Sequence, residues 1–167
     1  MKGEFWEYIK PLVDKKVAVV AEAWFLNQIS RGKIMPLLQE CGIDVQQDWR
    51  RDAKFDLLDY SILNYDSSHP IFNTPNSGIS LTNPSNIWWS GDVGDLVKLD
   101  VGGDAVLLAG TSIGDKSSHG LITSCIEGRV IFQTFCTHDY SPKNMVALWE
   151  NYIVYTLTRH FEALQTQ

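Results

Sequence analysis

Cys136, His138 and Asp139 fall within four residues of one another, just ahead of a proline-started helical pattern. A thiol near a helix N-terminus has its ionised form favoured by the helix dipole, and a nearby imidazole can take its proton. On an extended segment residues 136 and 138 point to one face, so the two can meet. A plainer role fits the same residues: a buried structural cysteine beside a histidine that satisfies the amides of the helix start. Nucleophiles of this kind usually sit on a glycine-bracketed elbow, and Phe135-Cys136-Thr137 has no glycine. Ser112 is the second candidate nucleophile. Gly110-Thr-Ser112-Ile-Gly114 has the Gly-x-Ser-x-Gly spacing of an elbow that exposes its hydroxyl to a helix dipole. The context that the elbow requires is missing, because Asp115-Lys-Ser-Ser-His119-Gly120 leads to another strand. An ordinary turn is the competing reading.

A ligand site is expected at the same place as the first candidate. His138, Asp139 and Ser141 cluster at the carboxyl end of a strand over 129–136, where the backbone amides of the following helix favour an anion. A small polar or anionic ligand fits that chemistry. The alternative is that Ser141 caps the helix and His138 packs on a loop. Trp88 and Trp89 are adjacent, so on a strand they face opposite sides, and Trp89 is a candidate for a ligand or partner surface. Core filling competes with that role. No metal and no cofactor is expected. His69, His119 and His138 lack ligand spacing, Asp92 with Asp95 lacks the oxygen run of a calcium loop, and no glycine-rich phosphate loop follows the first strand.

The elements that must position these residues are legible in the periodicity. The spacing predicts a helix over 4–14, a strand over 16–21, a helix over 24–41 disturbed at Pro36, and a strand over 43–46. Strand, helix and strand within about thirty residues make a βαβ unit, which implies a parallel pair. A third strand is expected near 60–63, short strands at 78–81 and 86–89, and a hairpin arm around 65–103 built on 96–99. Strands at 105–109, 121–126 and 129–136 follow. Ser141 and Pro142 suit the N-cap and first position of a helix over 142–164, whose apolar stripe runs from Met145 through Trp149, Ile153, Leu157 and Phe161 to Leu164. One α/β domain over 1–167 with a mainly parallel sheet flanked by helices is the expectation.

A hydrophobic fraction of 44% with 20% charged residues belongs to a folded domain. A net charge of −6 argues against a nucleic-acid or anionic-membrane surface. Cys41, Cys125 and Cys136 are odd in number, widely spaced and set in apolar runs, which reads as three buried thiols in a reducing cytoplasm. The chain begins without an apolar leader, and its longest apolar run is too short to span a bilayer. Six tryptophans and the Trp88-Trp89 pair suggest more apolar surface than a monomer hides, which points to a homodimer.

The C-terminal segment resembles the class I glutamine amidotransferase-like superfamily, including its ThuA-like branch. Gln133-Thr-Phe135-Cys-Thr-His138-Asp139-Tyr140-Ser141 is similar in order to the Gln-Phe-His-Pro-Glu-Ser motif that precedes the last helix of that family. Glu127-Gly128-Arg129-Val130 resembles the turn before it, and Gly42-Ile-Asp-Val45 and His69-Pro70-Ile71 resemble further segments. The resemblance implies a flavodoxin-like sheet and places His138 at the family's catalytic histidine. It departs where chemistry is concerned. No cysteine on a glycine-bracketed elbow lies between Asn64 and Asn83, the acid two residues after the histidine is replaced by Tyr140, and Asp139 stands one place early. A shortened relative without the nucleophile is implied, acting as a non-catalytic domain that binds a small polar ligand or a protein partner. The alternative is a small hydrolase or lyase using His138 with Cys136 or Ser112.

Overall fold

A computed structural model describes residues 6–23, 26, 31–47, 60–85 and 94–166, without the side chains of residues 6 and 31–33. Its first helix, α1 (Trp6–Asp14), buries Ile9 and Val13, one turn apart, and sets Lys10 against Asp14 at 2.9 Å on the outer side. The strand β1 (Val19–Glu22) follows. The next helix, α2 (Arg31–Cys41), buries Ile34, Leu37, Leu38 and Cys41 at helical spacing and keeps Pro36 within it. It stops at Gly42, whose φ is +77° and whose absent side chain lets the backbone of Gly103 approach; a Cβ there would lie 2.7 Å from Gly103 N. Then come β2 (Ile43–Gln47), β3 (Leu63–Asn64), a single 3-10 turn at Pro70–Phe72, β4 (Leu96–Leu99), β5 (Val106–Gly110), β6 (Gly120–Cys125) and β7 (Val130–Gln133). A second 3-10 turn at Thr137–Asp139 leads into α3 (Pro142–Gln165).

The seven strands form one mixed sheet in which β1, β7, β6, β4 and β2 lie side by side, with β5 on β6 and β3 on β5. Among the described residues only the pairing of β1 with β7 is parallel. This corrects the mainly parallel, flavodoxin-like expectation, and connection length supplies the reason. A parallel neighbour needs a crossover of a dozen or more residues. The β6–β7 link is a tight turn through Ile126, Glu127 and Gly128, all at positive φ, and the β5–β6 link contains no helix. Both therefore return antiparallel. The βαβ unit is also not a neighbouring pair, because α2 carries the chain from β1 to β2 at the far side of the sheet. Nor do residues 96–99 form an arm: β4 lies inside the sheet between β6 and β2. Residues 78–81 contribute one bridge, Leu81 to Ile62. The strand expected at 86–89 lies outside the described residues.

Side-chain alternation sends the two faces of the sheet into separate cores. Val130 and Phe132 of β7 pack with α1, α2 and Val45, whereas Ile131 faces Leu148 and Tyr152 of α3 and the 60–81 segment. Across the first core Cys41 and Cys125 are joined in a disulfide, their Cα atoms 5.2 Å apart and 84 residues apart in sequence. That corrects the expectation of three thiols; Cys136 stays reduced and buried.

The long helix departs from its expected stripe. Met145, Leu148, Tyr152 and Ala163 are buried, but Ile153, Leu157, Phe161 and Leu164 are not: Phe161 is 59% exposed and Ile153 49%. Two apolar faces share one helix, and the sheet covers only one. No helix among the described residues is long and apolar enough to cross a membrane.

Candidate functional site

The parallel pair is where the sheet delivers polar side chains to one end. Glu22 is the last residue of β1 and Gln133 the last of β7, and the register sets them opposite each other. Gln133 is fully buried in an apolar face, so its amide must find partners there. Its Nε2 donates to Thr137 Oγ1 at 2.9 Å, to the Phe135 carbonyl at 3.2 Å and to Glu22 Oε2 at 3.3 Å. Its Oε1 accepts from the Tyr152 hydroxyl at 3.3 Å. Thr137 Oγ1 also donates to Glu22 Oε2. Burial pushes the Tyr152 phenol well above its usual pKa, and the negative charge of Glu22 adds to that.

Two residues of this network, Glu22 and Thr137, open onto a cleft of about 540 Å³ also lined by His138, Tyr140, Met145 and Trp149, with Pro142 and Val146 at the helix side. Its walls are mostly hydrocarbon and aromatic. Tyr140 is held by its hydroxyl donating to the Tyr60 carbonyl at 2.7 Å and by an edge contact with Phe135. Trp149 packs edge-on against Tyr152, and its indole Nε1 is buried with no hydrogen-bond partner. Glu22 Oε2 takes both protein donors, while Oε1 accepts none and no cationic side chain among the described residues pairs with the carboxylate. The cleft thus presents one negatively charged acceptor at the bottom of an apolar wall.

The backbone around this end is tightly fixed. Gly94 has φ +104°, and a Cβ there would fall 1.9 Å from the Thr134 carbonyl, so only glycine lets the strand entering β4 lie against β7. Next to it Asp95 is fully buried; its N–H donates to Thr134 O at 3.0 Å and its carboxylate accepts Leu26 N–H at 2.6 Å. Asp95 thereby anchors the chain that leaves β1 just after Glu22.

The sequence candidates divide. His138 lines the cleft with a half-exposed ring, its Nε2 4.0 Å from Asp139 Oδ1. Asp139 is buried and does not line it, and its carbonyl accepts the Ser85 N–H. Ser141 stands at the helix N-cap without a side-chain cap bond, its carbonyl accepting Met145 N–H. Cys136 is buried at 4% exposure and forms no part of the cleft wall. Ser112 lies beyond β5, three strands across from β1, which is roughly 14 Å at about 4.8 Å per strand. Of His138, Cys136 and Ser112, only His138 is among the residues that line the cleft. Trp89 lies outside the described residues. Sequence reasoning missed Glu22, Gln133, Thr137 and Trp149. The one available signal was a carboxylate interrupting the apolar run of the first strand at Glu22.

A second polar cluster looks catalytic in composition and is not so in geometry. Asp115 Oδ2 and His119 Nδ1 each lie 2.6 Å from Ser118 Oγ. Gln46 Oε1 accepts the His119 N–H at 2.7 Å, which orients its amide so that Nε2 donates to His119 Nε2 at 3.1 Å. The ring proton then sits on Nδ1 and points at Ser118, whose own proton goes to Asp115. His119 is a donor to this serine and cannot be its base. Hydrogen bonds from Ser118 and Ser117 hold Asp115 down at about 2. Among the described residues no group of three or more His, Cys, Asp and Glu is placed to hold a metal ion. No family model, curated protein or solved structure matches the chain.

Proposed function

We propose that the protein is a non-catalytic binding domain whose cleft takes a small amphiphilic amine, with the ammonium on Glu22 and the apolar body against Trp149, Tyr140 and Met145. The observation that carries this reading is Glu22 at the end of an apolar cleft, with both protein donors on its Oε2 and its Oε1 left open to a ligand. Glu22 is half-buried, and an ammonium that comes to its open oxygen makes a charge-assisted hydrogen bond beside a low-dielectric wall. Aromatic walls suit a cation and its hydrocarbon alike. The polarity is opposite to the anion expected from the helix start, because Glu22 itself brings the negative charge to that end of the fold. The net charge of −6 also favours a cationic ligand at long range.

The test is a thermal-shift and calorimetric comparison of matched pairs: hexylamine with hexanoate, and benzylamine with benzoate. The amines should raise the melting temperature and the carboxylates should not. Glu22→Gln should weaken amine binding about tenfold to a hundredfold, the value of a hydrogen bond to a charged group. Equal response to the carboxylates, or an amine effect untouched by Glu22→Gln, overturns the reading.

A further inference from the structure

The outer face of α3 carries a second seam that the sheet leaves bare. Val146, Glu150, Ile153, Leu157, His160 and Leu164 alternate at spacings of four and three, the repeat of a helix that packs on another helix. Val146 is 62% exposed, Leu157 44% and Leu164 45%, and Val154 and Phe161 widen the apolar strip on one flank. The exposed apolar surface is on the order of 500 Å², at the upper end of what monomers leave bare. With its polar margins the face of a helix roughly 36 Å long approaches the roughly 800 Å² per partner of a standard interface.

We propose that this face is the interface of a homodimer in which α3 packs antiparallel on α3 of a second copy. The seam is its own complement when reversed. Centred near Tyr155, the two-fold axis sets Val146 on Leu164, Ile153 on Leu157 and Glu150 on His160 of the second copy, each pairing occurring twice. Antiparallel helices match their seam positions in this crossed way, whereas parallel pairing stacks Glu150 on Glu150. The charged layer is also prepared. His160 Nδ1 is 2.6 Å from the Lys16 carbonyl and donates to it, which leaves Nε2 pointing away from its own chain's partner. Glu150 accepts from Asn76 through Oε2 alone, leaving Oε1 to accept from the Nε2–H of His160 of the second copy in its imidazolium form, the form in which both ring nitrogens donate. Because Val146 also lines the cleft, Leu164 of the second copy closes part of its outer wall.

Sedimentation across the micromolar to millimolar range, on the full chain, reads the assembly directly. The wild type should be dimeric, and Leu157→Glu should weaken the dimer about a hundredfold by burying a charge at the centre of the seam. That residue is exposed within its own chain, so circular dichroism should show the variant folded. Orientation is read by oxidative cross-linking. A mixture of Ile153→Cys and Leu157→Cys chains should join to each other faster than Ile153→Cys joins to itself. A wild type that stays monomeric throughout, a dimer indifferent to Leu157→Glu, or preferential joining of Ile153→Cys to itself each overturns the proposal. Amine binding by a protein that stays monomeric would leave the cleft reading intact while ending this one.

Discussion

Gln133 Nε2 donates to Glu22 Oε2 at 3.3 Å across the parallel β1–β7 pair, joining the end of β7 to the carboxylate that lines the cleft. The same amide bridges Tyr152 of the helix layer to Thr137 of the connecting turn, so one buried side chain ties three elements together. Gln133→Leu keeps the volume and removes every donor and acceptor. The Phe135 carbonyl and the Tyr152 hydroxyl then lose partners in the core, which costs on the order of 2–4 kcal/mol for two orphaned groups. Denaturant unfolding should show that loss, and a variant as stable as wild type contradicts the network.

The two faces of α3 predict opposite responses to truncation. Leu148 is fully buried, and Leu148→Ala should cost about 2–5 kcal/mol. Phe161 is mostly exposed, and at protein concentrations where the chain is monomeric Phe161→Ala should change stability by less than about 1 kcal/mol. Chemical unfolding of both variants checks the assignment. A large loss at Phe161 in the monomer would mean that the helix is rotated from this packing.

The Cys41–Cys125 bond closes a loop of 84 residues between α2 and β6. In the chain-entropy account such a loop stabilises the fold by about 4–5 kcal/mol at room temperature. Cys41→Ala together with Cys125→Ala should lower the denaturation midpoint accordingly, and a reducing agent should have no further effect on that variant. Thiol titration of the unfolded wild type should count one reactive sulfur rather than three.

Asp115 predicts a pH response of known sign. Its folded pKa lies at about 2, below the usual carboxylate value, because Ser118 and Ser117 donate to the ionised form. The contribution is therefore complete above about pH 4 and disappears as the pH falls towards 2. Carboxyl-carbon NMR should show a midpoint near 2 for Asp115, and Ser118→Ala should move it upward. A midpoint at the ordinary value would show that the turn at 115–119 is open in solution.

Much of the local architecture is written in residue order. Apolar spacing marks α1, α2 and α3, Ser141-Pro142 marks the start of the last helix, and the runs at 106–110, 120–125 and 130–133 mark strands, because each signal needs only neighbours along the chain. Sheet order and direction are not written there. An apolar strand reads the same beside a parallel or an antiparallel partner; connection geometry and packing on both faces placed β4 inside the sheet and sent β2 to its far side. The pairing of Cys41 with Cys125 follows from the docking of α2 on β6, and no spacing in the sequence announces it. Periodicity alone joined the two stripes of α3 into one, since hydrophobicity does not record which face meets the sheet. The same limit governs the site. His138 was visible as a reactive residue type, but Glu22 became a candidate only when the parallel pair set it beside Gln133, more than a hundred residues away in sequence and one strand away in space.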